Sequence, residues 1–352
     1  MEQKRSYHAI DFTKFICSIL VIVVHTAPLL NINKEYNWLL IAILGRFVVP
    51  FFFISSAYFI SMNTQKYGDF YFKTYIRSLI KTYLFWSIIY LPLGIDYIGK
   101  ELSIPYILYP IALIVALVYI GTYFHLWYIP ALLLALLIVH WAMKHFRKRY
   151  ILSVSFILIL LGSLETYYGF INSPFLLSIV DRYFRIFITT RNGIFFGLFY
   201  VSWGYFIAQK DTWIEHTHHH GLAAICFFIL MIIEALFIRG SNNLDSNILL
   251  MAAPFTICLF LYCRDVAMPW KLNYRKLRAY SSLYYFTHAY FLILIPYGLH
   301  LFHQQALYDG NGIFRFFSVL CCTHIITYIM YQIQEYVQKK QASRIVKQPP
   351  VV

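Results

Sequence analysis

The sequence predicts an all-α integral membrane protein, a multi-pass transmembrane helix bundle of about ten spans. Both termini are expected on the cytoplasmic side, with one further helix interfacial or re-entrant. Three observations predict this. Of 352 residues, 60% are apolar and only 12% charged, against about 45–50% and about 25% in ordinary soluble domains. Ten spans of about 20 residues consume about 200 positions, and the remainder, divided among connectors and tails, leaves no room for a folded soluble domain. Most of the basic residues gather between the apolar runs. A water-soluble globular enzyme and a disordered chain are both excluded.

The spans follow from runs of apolar residues long enough to cross a bilayer. They lie at 12–30, 39–61, 79–95, 123–143, 150–168, 192–208, 221–238, 246–263, 281–302 and 313–333. No A-x-A-like cleavage site follows the first run, so it is expected to be a retained span rather than a removed signal. A further run, 104–121, would make eleven and would put the basic KHFRKR segment (144–149) on the same side as Lys100 and Glu101. Pro105, Pro110 and the aromatic residues at its ends mark it instead as interfacial or re-entrant. With ten spans, 21 of the 29 Lys and Arg residues, including Lys4, Arg5, Lys210 and Lys347, fall inside and eight outside, the positive-inside bias. Tyr36, Trp38, Tyr83, Trp86, Trp127 and Tyr128 mark run ends as interfacial anchors. The net charge of +14 therefore reports orientation in a cell (plasma) membrane among lipids, not a nucleic-acid partner. Residues 1–338 read as one transmembrane domain and 339–352 as a basic, Pro-containing cytoplasmic tail. The tail's KQPPVV ending is linker-like and suggests continuation into another domain.

The six cysteines lie in apolar runs without C-x-x-C spacing, so neither a disulfide framework nor a zinc site is expected. His216, His218, His219 and His220 cluster beside Glu215, but no cysteine or firmly placed carboxylate completes a closed metal site, so a solvated, pH-sensitive loop and no metal are expected. There is no phosphate-binding glycine motif, no H-E-x-x-H and no G-x-S-x-G.

Several polar residues sit where a membrane makes them costly. Asp11 and Lys14 lie one turn apart in the first span and are spaced to pair. His25, about 16 Å further along that helix, suits a general base; the alternative is an interfacial histidine bonding a carbonyl before Pro28. Lys73, Arg77 and Lys81 recur every four residues, either anchoring to anionic headgroups or clamping phosphates. Ser55, Ser56 and Ala57 interrupt an aromatic run, permitting close helix contact or clearing room for a thin pantetheine-like arm. Arg191 and Asn192 open the sixth span, His125, Trp127 and Tyr128 the fourth, and Tyr285 and His288 lie one turn apart in the ninth. Glu234 is placed to pair with Arg239. His140 and His324 have no evident company and read as structural.

The order Asp11, Lys14, His25, then FFFISSAY (51–58), the basic stripe leading into TYLFWS (82–87), HLWYI (125–129), TRNGIFFGLFYVSWGY (190–205) and SSLYYFTH (281–288) resembles the acyltransferase-3 family of membrane O-acyltransferases. The resemblance covers nearly the whole chain. The HTAPL and RNGIFFGLFYVSWGY phrasing resembles in particular the membrane domain of serine racemases from vancomycin-resistance clusters, although no pyridoxal-phosphate lysine context is present. Lys14 stands where the family usually has arginine, Ala57 where glycine is usual, and Thr82 replaces a common proline.

The resemblance implies transfer of an acetyl or other acyl group from cytosolic acyl-CoA, acetyl-CoA being the donor substrate. The acceptor would be a hydroxyl of an extracytoplasmic or lipid-linked glycan or other cell-envelope molecule. It assigns His25 and Asp11 to catalysis, and Lys14, Lys73, Arg77, Lys81, Ser55 and Ser56 to the donor. Arg191, Asn192, Trp127, Tyr285 and His288 fall to the acceptor. The racemase-linked branch implies an alternative, uptake of a small amino acid such as L-serine with His25 and Arg191 as ligands or proton carriers; a third reading, consistent with the tail, is a membrane anchor.

Overall fold

The structure is a computed structural model that describes residues 7–100, 104–209, 219–241 and 244–346. The expectations placed on Lys4, Arg5, Glu101, Lys210, Glu215, His216, His218 and Lys347 to Val352 lie outside the described residues. Every regular element among the described residues is helical. Among the described residues six helices are long and apolar enough to cross a membrane: α1 (His8–Thr26), α2 (Lys34–Tyr67), α3 (Asp69–Lys100), α5 (Tyr128–His145), α9 (His220–Ile238) and α13 (Gly312–Val346). The others are α4 (Tyr109–Val115), α6 (Lys148–Ser163), α7 (Pro174–Phe187), α8 (Leu198–Ala208), α10 (Ala252–Asp265), α11 (Tyr274–Leu301) and α12 (Gln305–Gly310). The last helix runs on past residue 338.

Four apolar runs differ from the helices they form, each for a local reason. Run 104–121 is a broken helix: a 3-10 turn at Tyr106–Leu108, α4, and a π turn at Ala116–Ile120. Its ~15 residues rise only about 22 Å, short of a ~30 Å hydrocarbon core. Run 150–168 stops being helical at Ser163 because the carbonyl of Glu165 turns to accept the amides of Leu244 and Asp245. The same contact holds residues 244–250 out of helical form, so α10 begins only at Ala252. Run 192–208 opens with a π turn, Gly193–Gly197, before α8.

The chain divides into two compact units, one formed by residues 1–45 and 267–352, the other by 46–266. The first is a bundle of α1, α11 and α13, each packed on the other two. Ile22, Leu283, Tyr284, Val319 and Tyr331 lie at its centre. In the second, α5 packs against α3, α6, α8 and the π turn ahead of α8, while α9 pairs with α10. A close helix contact joins α2 to α8: a Cβ placed on Gly204 would lie 2.6 Å from both Ala57 Cβ and the Ile54 carbonyl oxygen. In lipid, where no hydrophobic effect drives helices together, such small-residue contacts supply the van der Waals gain of association.

Candidate functional site

In the first unit α1 is held at both ends. Near its start the carboxylate of Asp11, 2% exposed, accepts a forked pair of hydrogen bonds from Arg278 of α11, Nε to Oδ1 at 2.8 Å and Nη2 to Oδ2 at 2.5 Å. This corrects the expected Asp11–Lys14 pair. The planar guanidinium matches both carboxylate oxygens at once, which a lysine ammonium cannot do. Lys14 stays half-buried in the next turn of the helix, its carbonyl accepting the Ser281 hydroxyl at 3.0 Å. At the other end Ala27 adopts the left-handed region (φ 46°), a conformation that costs an L-residue about 1–2 kcal/mol and usually falls to glycine. Arg315 of α13 offsets it, donating from Nε to the Thr26 carbonyl at 2.5 Å and from Nη2 to that of Ala27 at 3.3 Å. A cation there also complements the carbonyl end of the helix dipole. Gly312 permits this approach, since a Cβ in its place would come within 2.6 Å of the Pro28 oxygen.

That capped last turn carries His25, whose side chain is exposed. Its ring stacks on the ring of His288 with centroids 5.5 Å apart and planes 20° from parallel. His288 is fully buried, and its Nδ1 lies 2.9 Å from the Tyr284 carbonyl. A carbonyl only accepts, so Nδ1 carries the hydrogen and Nε2 is the basic nitrogen of the neutral ring. Two histidines chosen separately from the sequence thus come together. Tyr285 is half-buried on the same helix with its ring against Phe286. His324, read as structural, accepts or donates a 2.6 Å hydrogen bond with the Tyr284 hydroxyl.

In the second unit Lys73, Arg77 and Lys81 are all exposed along the first turns of α3. Ser55 and Ala57 are buried. Ser55 bonds back to the Phe52 carbonyl at 3.2 Å and Ala57 fills the contact with Gly204, so close packing takes up these two small side chains. Ser56 instead meets the Tyr128 hydroxyl at 3.3 Å. His140, read as lacking company, stacks on Phe72 with centroids 3.7 Å apart and lies 3.3 Å from Asp69, which also pairs with Lys144.

At the far end of α3, about 26 Å from Arg77 by helical rise, a cavity of about 470 Å³ is lined by Trp127, Arg191, Glu165, Asp245 and the rings of Tyr97, Tyr119, Tyr123 and Phe184. Arg191 lies over the Trp127 ring at 4.9 Å, so two residues assigned to the acceptor meet at one wall. Asn192 serves the backbone instead. Its Oδ1 accepts the amides of Ile194 and Phe195 at the start of the π turn (2.9 and 3.1 Å), and its Nδ2 reaches the hydroxyls of Tyr119 and Tyr183 (3.0 and 3.2 Å). Burial pushes the Tyr183 hydroxyl up from its ordinary pKa, so it remains a neutral donor to the Thr189 carbonyl. Tyr119 donates to the Phe187 and Thr189 carbonyls, both at 3.0 Å, tying the broken helix to α7.

The residues that position Arg191 were not singled out from the sequence. Glu165 is buried and accepts the Thr190 amide at 2.8 Å together with the hydroxyls of Thr189 and Thr190. Asn247 Oδ1 accepts from both Arg191 Nη1 (3.2 Å) and Arg46 Nη1 (3.0 Å), while its Nδ2 donates to Asp245. An arginine inside a long apolar helix, as Arg46 is, was the one available signal. Glu234, expected near Arg239, accepts the amides of Leu250 (2.5 Å) and Met251 (2.7 Å) and the Tyr167 hydroxyl, corking the start of α10. No group of three or more His, Cys, Asp or Glu residues fit for a metal occurs among the described residues.

Long apolar helices with ionisable groups fixed inside the bundles define an integral membrane protein. The profile of the acyltransferase-3 family, described as an acyltransferase domain, matches residues 7–332, and the chain belongs to that family. It is similar to two amino-acid racemases of Enterococcus faecalis. One is 28% identical over 272 residues, 74% of this chain and 36% of the relative. The other is 22% identical over 339 residues, 94% and 47%. A serine/alanine racemase of Enterococcus gallinarum is 24% identical over 322 residues, 89% and 44%. The chain therefore spans less than half the length of the curated relatives it matches. No solved structure matches it.

Proposed function

We propose that the chain is an integral O-acyltransferase of the plasma membrane, moving an acetyl or other acyl group from cytosolic acyl-CoA to a hydroxyl of an extracytoplasmic or lipid-linked glycan or cell-envelope acceptor. The observation that carries this reading is the stack of His25 on His288 at 5.5 Å, within the bundle that also contains the Asp11–Arg278 fork. An exposed imidazole backed by a buried one is a base presented to a ligand rather than a packing residue. On the ten-span reading, with both termini cytoplasmic, the basic turns of α3 face the cytosol and the Arg191 cavity faces the opposite side. Lys73, Arg77 and Lys81, exposed on one face, suit the phosphates of the donor.

In the direct route the His25 imidazole takes the proton of the acceptor hydroxyl, and the oxygen attacks the thioester carbonyl. The carbon–sulfur bond breaks, and the departing thiolate recovers the proton from the imidazolium. In the covalent route the neutral His25 imidazole attacks the thioester carbonyl and expels the CoA thiolate; the acceptor hydroxyl then attacks the acyl-imidazolium, freeing the imidazole, and its proton goes to the thiolate. The test is release of CoA from labelled acetyl-CoA by the protein in liposomes, wild type against His25→Ala. Release that depends on His25 supports the transferase. No release, together with no acetyl-CoA binding that weakens in Arg77→Ala, overturns it.

A second reading, uptake of a small amino acid such as L-serine, draws on Arg191 and the carboxylates of Glu165 and Asp245 lining one cavity. The racemase names of the relatives agree with it. It predicts saturable serine uptake without consumption of CoA.

A further inference from the structure

Two guanidiniums in the second unit are held with most of their donors unspent. Arg46 of α2 and Arg191 each place one N–H on the same neutral acceptor, Asn247 Oδ1. Their Nε atoms are buried and have no hydrogen-bond partner among the described residues. An arginine side chain offers five N–H donors in a fixed plane and accepts nothing. Buried donors left unmatched are costly and rare. Asp245 and Glu165 lie near enough to offset part of the repulsion between these two like charges, but neither carboxylate bonds to the Nε atom of either guanidinium. Trp127 covers one face of the Arg191 plane, which leaves the guanidinium edge as the part offered for a forked contact.

We infer that Arg191, with Arg46 behind it on Asn247, forms an anion subsite on the cavity wall that takes a singly charged oxyanion, a carboxylate or phosphodiester, of the molecule occupying the cavity. A single charge is specified because Asp245 and Glu165 line the same space and oppose a second one. The aromatic walls of Tyr97, Tyr119, Tyr123 and Phe184 accept the flat or apolar body that carries this group. The inference rests on the acyltransferase reading only in making that molecule the acceptor.

The experiment uses the full chain in phosphatidylcholine nanodiscs, with binding measured by calorimetry and folding by thermal melting. D-Glucuronate and D-glucose share a ring and differ by the carboxylate. Wild type is expected to bind glucuronate at least tenfold more tightly than glucose, or to be stabilised by phosphatidylglycerol in place of phosphatidylcholine. The first result identifies a soluble carboxylate as the source and the second a lipid headgroup; either supports the subsite. Arg191→Gln is expected to erase the preference. Arg191→Lys keeps the charge but not the fork and should retain part of it, and Arg46→Gln serves where Arg191→Gln does not fold. Equal binding of glucuronate and glucose together with equal melting in the two lipids overturns the inference. So does a preference that survives in both Arg191→Gln and Arg46→Gln. Preference for the anion, with neither His25-dependent CoA release nor acetyl-CoA binding that weakens in Arg77→Ala, removes the transferase reading and leaves the subsite. CoA release without the preference does the reverse.

Discussion

Arg278 closes a fork on Asp11 across 267 residues of sequence, joining the first and third-last helices of the chain at 2.8 and 2.5 Å. Removing one partner of a buried pair leaves the other charge uncompensated. The Arg278 side chain is 60% exposed, so water recovers part of that loss. Arg278→Ala is expected to destabilise the bundle by about 1–2 kcal/mol, and Arg278→Lys by less, read as the melting midpoint in detergent. An unchanged midpoint in Arg278→Ala would mean that Lys14 takes over the carboxylate.

His25→Ala should lower CoA release by about 10²–10⁴-fold, the range a positioned general base contributes. His288→Phe keeps a ring beneath His25 but removes the basic nitrogen. We expect it to lower the rate less than His25→Ala and to change the pH profile of release. A profile identical to wild type would make His288 a packing residue only.

The exposed stripe on α3 predicts salt dependence. Arg77→Ala should weaken acetyl-CoA binding about tenfold, the scale of one charge-assisted contact. Replacing Lys73, Arg77 and Lys81 together should flatten the dependence of binding on ionic strength. Titrations in 50 and 300 mM salt, about the range over which screening grows strongly, decide this. Parallel slopes for wild type and the triple variant would assign the stripe to lipid headgroups instead.

Gly204→Ala places a methyl group where Ala57 and the Ile54 carbonyl already stand. Forcing the helices apart should cost about 1–3 kcal/mol, seen as a lowered melting midpoint. Ala57→Gly in the same chain should restore part of it, whereas no rescue would place the strain at the Ile54 backbone.

Glu234→Ala strips the acceptors from the Leu250 and Met251 amides and the Tyr167 hydroxyl. Leaving half-buried donors unmatched costs about 1 kcal/mol each, the low end of the range for buried ones. Glu234→Gln retains one carbonyl oxygen and should lose less. Hydrogen exchange at the start of α10 reads the effect directly, with faster exchange expected in Glu234→Ala.

Composition and run length made the all-helical membrane class legible, because the bilayer demands apolar length whatever the tertiary detail. Helix ends were not legible in the same way. Glu165 and Thr166 fall inside an apolar run, yet they bind backbone amides across a turn and end the helix before them. His25 stood out by itself as an intramembrane imidazole, but its stack on His288 and the Arg315 cap behind it need contacts from helices distant in sequence. Asn192 shows the converse. Next to Arg191 it reads as a binding group, whereas its amide caps the π turn, because a helix start without a capping side chain leaves amides unmatched. The meeting of Arg46 with Arg191 on Asn247 is a property of the fold that no run of sequence carries.

The π turn and α8 together supply 5 and 11 residues, a rise of about 24 Å, and they start beside an arginine. A translocon offered such a segment alone has little reason to release it into lipid. Its packing partners, α2 through Gly204 and α5 and α6 along the π turn and α8, all precede it in the chain. Synthesis therefore installs the cradle before the dependent helix emerges from the ribosome, and biogenesis of this unit has a direction that the finished bundle no longer displays.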